Sequence, residues 1–304
     1  MVKPLISLTS LATTILTGLF FSAMFLLISL SLNLLRSVIG VINFANGGFF
    51  ALGAYTAVTV VGFMQAIALP IEMWYLGLVG AGIVLGLLGV CVELGLLRRT
   101  YVEGEEIYQL LLTYGLGLVI YDVIKGVWGV FPLTIPQLYL HMGFIPIGDF
   151  GFPAYNILVI LSGYVIALLL WFWVYRTASG RLIRAAATDK EMSRALGIDV
   201  KKLYTLAFAV AIILAGLSGA LVIPIRSAVP GMGTDETIVA LAIIAIGGLG
   251  SLKGAFVASH LIGIARAFGI GYFPEIELAI VFIVTAIVLV VRPTGLFGKE
   301  EKRL

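Results

Sequence analysis

Two histidines, one cysteine and sixteen acidic residues are the whole stock from which this 304-residue chain could build acid–base or metal chemistry. They are not gathered. His141 and His260 stand far apart, and no His-Glu-x-x-His run is present to hold a catalytic zinc ion. Tyr121-Asp122 and Gly148-Asp149 could at most supply two carboxylates inside a membrane. However, Pro146 occupies the place where such a second motif needs glycine, and Asp149 falls in a polar, proline-containing loop. There is no Gly-x-Ser-x-Gly elbow, and "GGLGSLKG" (247–254) lacks the Gly-Lys-Ser/Thr ending of a phosphate-binding loop. Glu93, Asp122, Lys125, Arg266 and Glu277 fall near the ends of apolar runs, where long side chains can reach water. Asp122 and Lys125, three apart, can pair on one helix face. Cys91, inside an apolar run, reads as a small packed residue with no disulfide or metal partner. The chain reads as a non-enzyme that binds no cofactor or metal itself.

The polar residues that stand out do so by position. "VINFANGGFFALGAY" (41–55) sets Asn43, Asn46, Gly47 and Gly48 within six positions of otherwise apolar sequence. An asparagine in hydrocarbon must find partners, and paired glycines weaken a helix. Irregular backbone at membrane depth survives only where it is buried in protein or lines a polar cavity. The stretch therefore predicts a break or close backbone approach in the second apolar span. Two roles stay open for its amides: glue between helices, or contacts for a polar solute in passage.

The surrounding chain is 61% hydrophobic and only 12% charged, with a mean hydropathy of +1.13. That is too little charge to solvate a water-soluble domain of this length, and apolar stretches of membrane-spanning length recur throughout. The expectation is an all-α polytopic membrane protein forming one transmembrane domain over residues 1–304. Spans are read at 11–35, 49–69, 75–97, 106–128, 156–175, 203–226, 236–249, 254–273 and 276–292. They make eight to nine crossings, with a broken or re-entrant piece. The first run is too long for a signal-peptide core and reads as a retained helix. A net charge of +3 gives no footprint for nucleic acid.

Seven lysines and arginines crowd into residues 176–202, whereas 126–175 hold none. Fifteen of the nineteen basic residues fall on one side of the predicted topology. By the positive-inside rule, that side is cytoplasmic and carries the C-terminus, while the N-terminus and the loop 129–155 are external. Gly47-Gly48 also has a counterpart in Gly247-Gly248. Each pair leads into a span running outward, as a parallel internal repeat would, and glycine-interrupted segments in matching places point to a transport path.

The basic segment is patterned. Thr188-x-x-Glu191 reads as a capping box for a short helix near 189–196, Gly197 as its left-handed stop, and Asp199 as the cap of the next span. Leu182, Met192 and Leu196 add apolar faces among the arginines. Such a helix could lie in the headgroups or dock into a soluble partner.

Taken together, these stretches resemble the permease subunits of branched-chain amino acid ABC importers. "VINFANGGFFALGAY" is similar to that family's signature, although many members carry histidine where Asn46 stands. "RAAATDKEMSRALGIDVKKLYTLAFAVAIILAGLSGAL", "AIIAIGGLGSLKGAFVASHLIGI" and "RPTGLFG" (292–298) match in order along essentially the whole chain. The resemblance implies a permease half in the cytoplasmic (inner) membrane, paired with a second permease subunit or a second copy. It also implies two cytoplasmic ATPase subunits, which bind the ATP, and an external substrate-binding protein. The substrate path would include Asn43, Asn46, Gly47, Gly48, Gly247 and Gly248. The ATPase-coupling residues would be Arg184, Asp189, Glu191, Arg194, Gly197 and Asp199. The broader importer pattern Glu-Ala-Ala-x-x-x-Gly is replaced by "EMSRAL" before Gly197. Permeases for urea and amides share these motifs, and an ion-coupled amino acid carrier is the rival outside the family.

Overall fold

The computed structural model describes residues 8–40, 42–100, 106–148 and 150–298. Its long helices are α1 (Leu8–Val38), α2 (Asn46–Ala66), α3 (Trp74–Gly95), α4 (Glu106–Trp128), α6 (Ala154–Arg176), α9 (Val200–Val222), α10 (Met232–Gly247), α11 (Leu252–Tyr272) and α12 (Glu277–Val291). Shorter helices are α5 (Gln137–Met142), α7 (Ala178–Thr188) and α8 (Lys190–Ala195). Among the described residues, eight segments are long and apolar enough to cross a membrane, the last of them counting a single 3-10 turn before α12. The sixteen-residue α10 is about 24 Å long, shorter than the hydrocarbon layer, and is not among the eight.

Helices α1 and α9 are apolar around most of their circumference because they sit in the middle. The first runs against α6, α9, α10 and α11; the second against α2 and α3. Ser22 and Ser29 of α1 are fully buried, and each hydroxyl is satisfied within α1 by donating to a carbonyl of its own preceding turn. Helices α4 and α12 are mostly uncovered. Cys91 lies on the exposed side of α3 and not in packing, which corrects the sequence reading.

Contacts between connections sort them into two ends. At one end, Asn33 near the close of α1 accepts from Gly250 N at 2.7 Å and donates to Ser251 O at 2.6 Å. Residues 177–199 and the tail 292–298 lie at this basic end. At the other, Leu133 pairs with Ala228, and His141 lies 3.2 Å from Glu72. This opposite end also carries α5 and an antiparallel hairpin, β1 (Phe144–Ile147) with β2 (Phe150–Pro153), in a segment that the sequence analysis left as loop.

Candidate functional site

The break after α1 folds back into the protein. Gly40, at φ +91°, ends α1, and Arg36 donates to its carbonyl. The chain then turns inward, so that α2 begins level with Ile28 and Ser31, about 10 Å from the end of α1. The irregularity therefore lies before the second helix and not within it. Its backbone is satisfied by side chains: Phe44 N donates to Thr113 Oγ1 of α4 at 3.2 Å, and Ala45 N to Asn43 Oδ1 at 3.0 Å.

The two asparagines separate in role. Asn46 is fully buried, and its amide is used at both ends by α1. Ser31 Oγ donates to its Oδ1 at 2.6 Å, and its Nδ2 donates to Ile28 O at 3.4 Å. Asn43, 3% exposed, leaves Nδ2 without a partner among the described residues. It borders a cavity of about 20 Å³ with Leu97, Gln109, Thr113 and Phe208.

Gly47 and Gly48 open α2 at two helix crossings. A Cβ at Gly47 would overlap the Gly233 carbonyl and the Thr237 hydroxyl of α10, and one at Gly48 would press on Ile120 of α4. Farther along α2, Gly53 meets Gly216, and Gly219 meets the Phe50 carbonyl. Helix α2 thus threads between α9 and α10 with backbone against backbone, as small residues permit in membranes. Gly247 and Gly248 sit elsewhere, at the end of α10. Gly247 packs on Gly254, Gly248 at φ +95° packs on Gly298, and the tail donates Leu296 N to Ile246 O at 2.7 Å.

A stripe of α10 is not covered. Thr234, Ile238, Leu241 and Ala245 recur at helical spacing on its exposed or half-exposed side, with Asp235 beside them. On the covered side, Glu236 is 3% exposed and accepts from Arg226 at 2.7 Å. Arg266 of α11 stacks on Phe21 and Phe25, its guanidinium about 5 Å from each ring centre. Sequence analysis missed Arg226 and Glu236. The clue was an acid and a base ten residues apart across "SAVPGMG", a turn that folds one back on the other. Glu93 is fully buried in α3, not solvated at a span end, and Thr205 of α9 donates to it at 2.6 Å. Asp122 and Lys125 do pair, 3.5 Å apart on α4.

The basic segment forms two helices. Thr177 Oγ1 caps α7 by accepting from Gly180 N at 3.1 Å. Thr188 closes that helix, its hydroxyl turned back to Arg184 O, so it does not cap the next one. Asp189 does, accepting from Met192 N at 2.8 Å. The cap is thus displaced by one residue, and the expected capping box does not form, since Met192 and not Glu191 stands three residues on from Asp189. An aspartate beside a threonine is the stronger competitor for the cap. Gly197 at φ +79° stops α8, and Asp199 caps α9 by accepting from Lys202 N at 3.2 Å. That backbone donor, with the Lys202 ammonium, holds the Asp199 carboxyl below its ordinary pKa.

Arg184 folds inward, donating to Val174 O of α6 and lying over the Tyr175 ring. Glu191, Met192, Arg194 and Leu196 point out. Met192 is 57% and Leu196 73% exposed, one turn apart, with Leu182 of α7 also exposed. Apolar side chains flanked by both charge signs suit a protein partner better than water.

The family model for "Branched-chain amino acid transport system / permease component" matches residues 14–291. The chain is 27% identical to the high-affinity branched-chain amino acid transport system permease protein BraD of Pseudomonas aeruginosa, over 93% of this chain and 94% of that protein. It is similar to two such permease proteins of Escherichia coli K12: LivH, 24% identical over 93% of this chain and 94% of LivH, and LivM, 26% identical over 92% of this chain and 69% of LivM. A match over nearly all of a chain with eight membrane-length helices leaves little outside it, and the chain belongs to the family of branched-chain amino acid transport permease components.

Proposed function

We propose that this chain is the membrane-spanning permease subunit of an ABC importer for branched-chain or similarly apolar amino acids, driven by ATP hydrolysis on separate subunits. The observation that carries the reading is the family match over residues 14–291. The chain acts as one transmembrane domain, performs no bond chemistry, and uses residues 176–202 to receive the stroke of the ATPases. Its basic end faces the cytoplasm, by the excess of lysine and arginine there. Similarity to both LivH and LivM supports pairing with a second, related permease. Two ATPases and an external binding protein complete the assembly.

The path runs beside α2 and α10, with the uncovered α10 stripe facing the second permease. The inward turn at 42–48 shapes it from within. Asn43 is the residue whose free amide meets the substrate's polar ends as the path opens, while Asn46, Gly47, Gly248 and Gly247 hold the surrounding backbones. Coupling runs from α8 through Gly197 and Asp199 into α9. Helix α9 meets α2 backbone to backbone at Gly216 and Gly219, so a tilt of one moves the other. Asp189 and Gly197 fix the ends of α8; Glu191 and Arg194 flank Met192 and Leu196 on the face offered to the ATPase. Arg184 anchors α7 to α6 so that the two short helices move with the membrane domain.

Co-expression with candidate ATPases, a second permease and a binding protein tests the assembly. A stable complex whose ATP hydrolysis rises when leucine-loaded binding protein is added is expected. Purification of this chain without any ATPase, with leucine uptake driven by an ion gradient, would favour a secondary carrier instead.

A further inference from the structure

We propose that the groove between α1, α6 and α11 at the basic end holds one acyl chain of an anionic phospholipid, its headgroup phosphate met by Lys253. The groove encloses about 620 Å³, within the range of specific small-molecule sites. Leu26 and Leu30, Ala167 and Leu168, Phe256 and Val257 give it apolar walls.

Among the described residues, its one charged lining residue is Lys253, exposed at the second position of α11 and in no ion pair. No acidic residue lines it among the described residues, and the Lys253 charge there is complementary to an anion. Trp171, five residues before the end of α6, stands at the same end, the level where indole rings mark the headgroup boundary.

The inner end could have offered polar groups to a hydrophilic ligand, since Tyr164 lines it beside His260. Both are already spent. His260 Nδ1 lies 2.6 Å from Phe256 O, a carbonyl that can only accept, so Nδ1 carries the proton. Nε2 is then the acceptor for the Tyr164 hydroxyl at 2.7 Å. The two rings stack, with Phe256 beside them, so their polar atoms are engaged with one another and with the Phe256 carbonyl. A groove with a cationic mouth, carbon-rich walls and a satisfied inner end fits a lipid tail with an anionic head. The choice of an anionic lipid leaflet rests on the cytoplasmic placement of the basic end.

Photoactivatable phosphatidylglycerol and phosphatidylcholine, each carrying the reactive group on an acyl chain, are presented to the assembled complex in nanodiscs. Labelled peptides are then mapped. Label is expected on α6 and α11, with about a fivefold preference for phosphatidylglycerol. That preference falls to parity in Lys253→Gln, and the label itself is lost in Ala167→Phe, which fills the groove. Equal labelling by both lipids in the wild type overturns the proposal, as does labelling that persists in Ala167→Phe. Absence of lipid label together with a cross-link from position 168 to the second permease also overturns it. None of these readouts depends on transport, so failure here leaves the permease reading standing.

Discussion

At the residue scale, two asparagines three positions apart have been given different work by the fold. Asn46 ties α2 to α1 through Ser31 and Ile28 O, so Asn46→Leu removes glue. In a membrane that costs about 1 kcal/mol or less. The expected outcome is a lower melting temperature with near-normal uptake per assembled complex. Asn43→Leu removes an amide whose Nδ2 no described residue uses and whose Oδ1 accepts from Ala45 N. We predict that uptake per assembled complex falls by about tenfold for each 1.4 kcal/mol of lost substrate contact, beyond the stability cost of about 1 kcal/mol for that backbone bond. Unchanged normalised uptake in Asn43→Leu would remove that residue from the path. The Arg226–Glu236 pair supports a separate prediction. Arg226→Met leaves a buried carboxylate facing fewer cations and should destabilise by about 1–2 kcal/mol, less than for a pair buried on both sides because the Arg226 side chain is 41% exposed. Adding Glu236→Gln should recover most of the loss. A double mutant no more stable than Arg226→Met would mean that the pair is not the source.

At the element scale, α8 is six residues long and cannot hold its shape by propensity. Its form depends on Asp189 at one end and Gly197 at the other. Nothing lies within 4 Å of a Cβ added at Gly197, so a larger side chain there clashes with no neighbour and acts only through φ +79°. Gly197→Val should therefore cost about 1–2 kcal/mol locally, leave membrane insertion intact, and abolish the stimulation of ATP hydrolysis by the binding protein. Wild-type stimulation in this variant would show that α8 is not the coupling element. The threading of α2 between α9 and α10 offers such a local change a route into the membrane interior, because glycines at both crossings set backbone against backbone.

At the scale of the whole molecule, the long helices were legible because hydrocarbon length is a strong constraint. The first span, read at 11–35, is Leu8–Val38, and the fifth, read at 156–175, is Ala154–Arg176. What sequence could not give is burial that depends on neighbours. Glu93 reads as a span-end charge until Thr205 of α9 is seen to cover it, and the Thr234–Ala245 stripe is hidden in an apolar helix with no polar face. The glycine pairs at 47–48 and 247–248 look alike in sequence, yet one starts a helix at a crossing and the other ends a helix under the tail. Charge asymmetry still predicts the orientation. Cysteines at 145 and 188, in a background where exposed Cys91 is replaced, should label from opposite faces of the membrane, with 188 inside. Labelling of both from outside would overturn that orientation. The central claim is that separate ATPases drive apolar amino acids past this chain. Its most direct test is leucine uptake into proteoliposomes holding the assembled complex, with ATP sealed inside and binding protein outside. The account predicts uptake that requires both; uptake that persists without ATP and follows a proton or sodium gradient would contradict it.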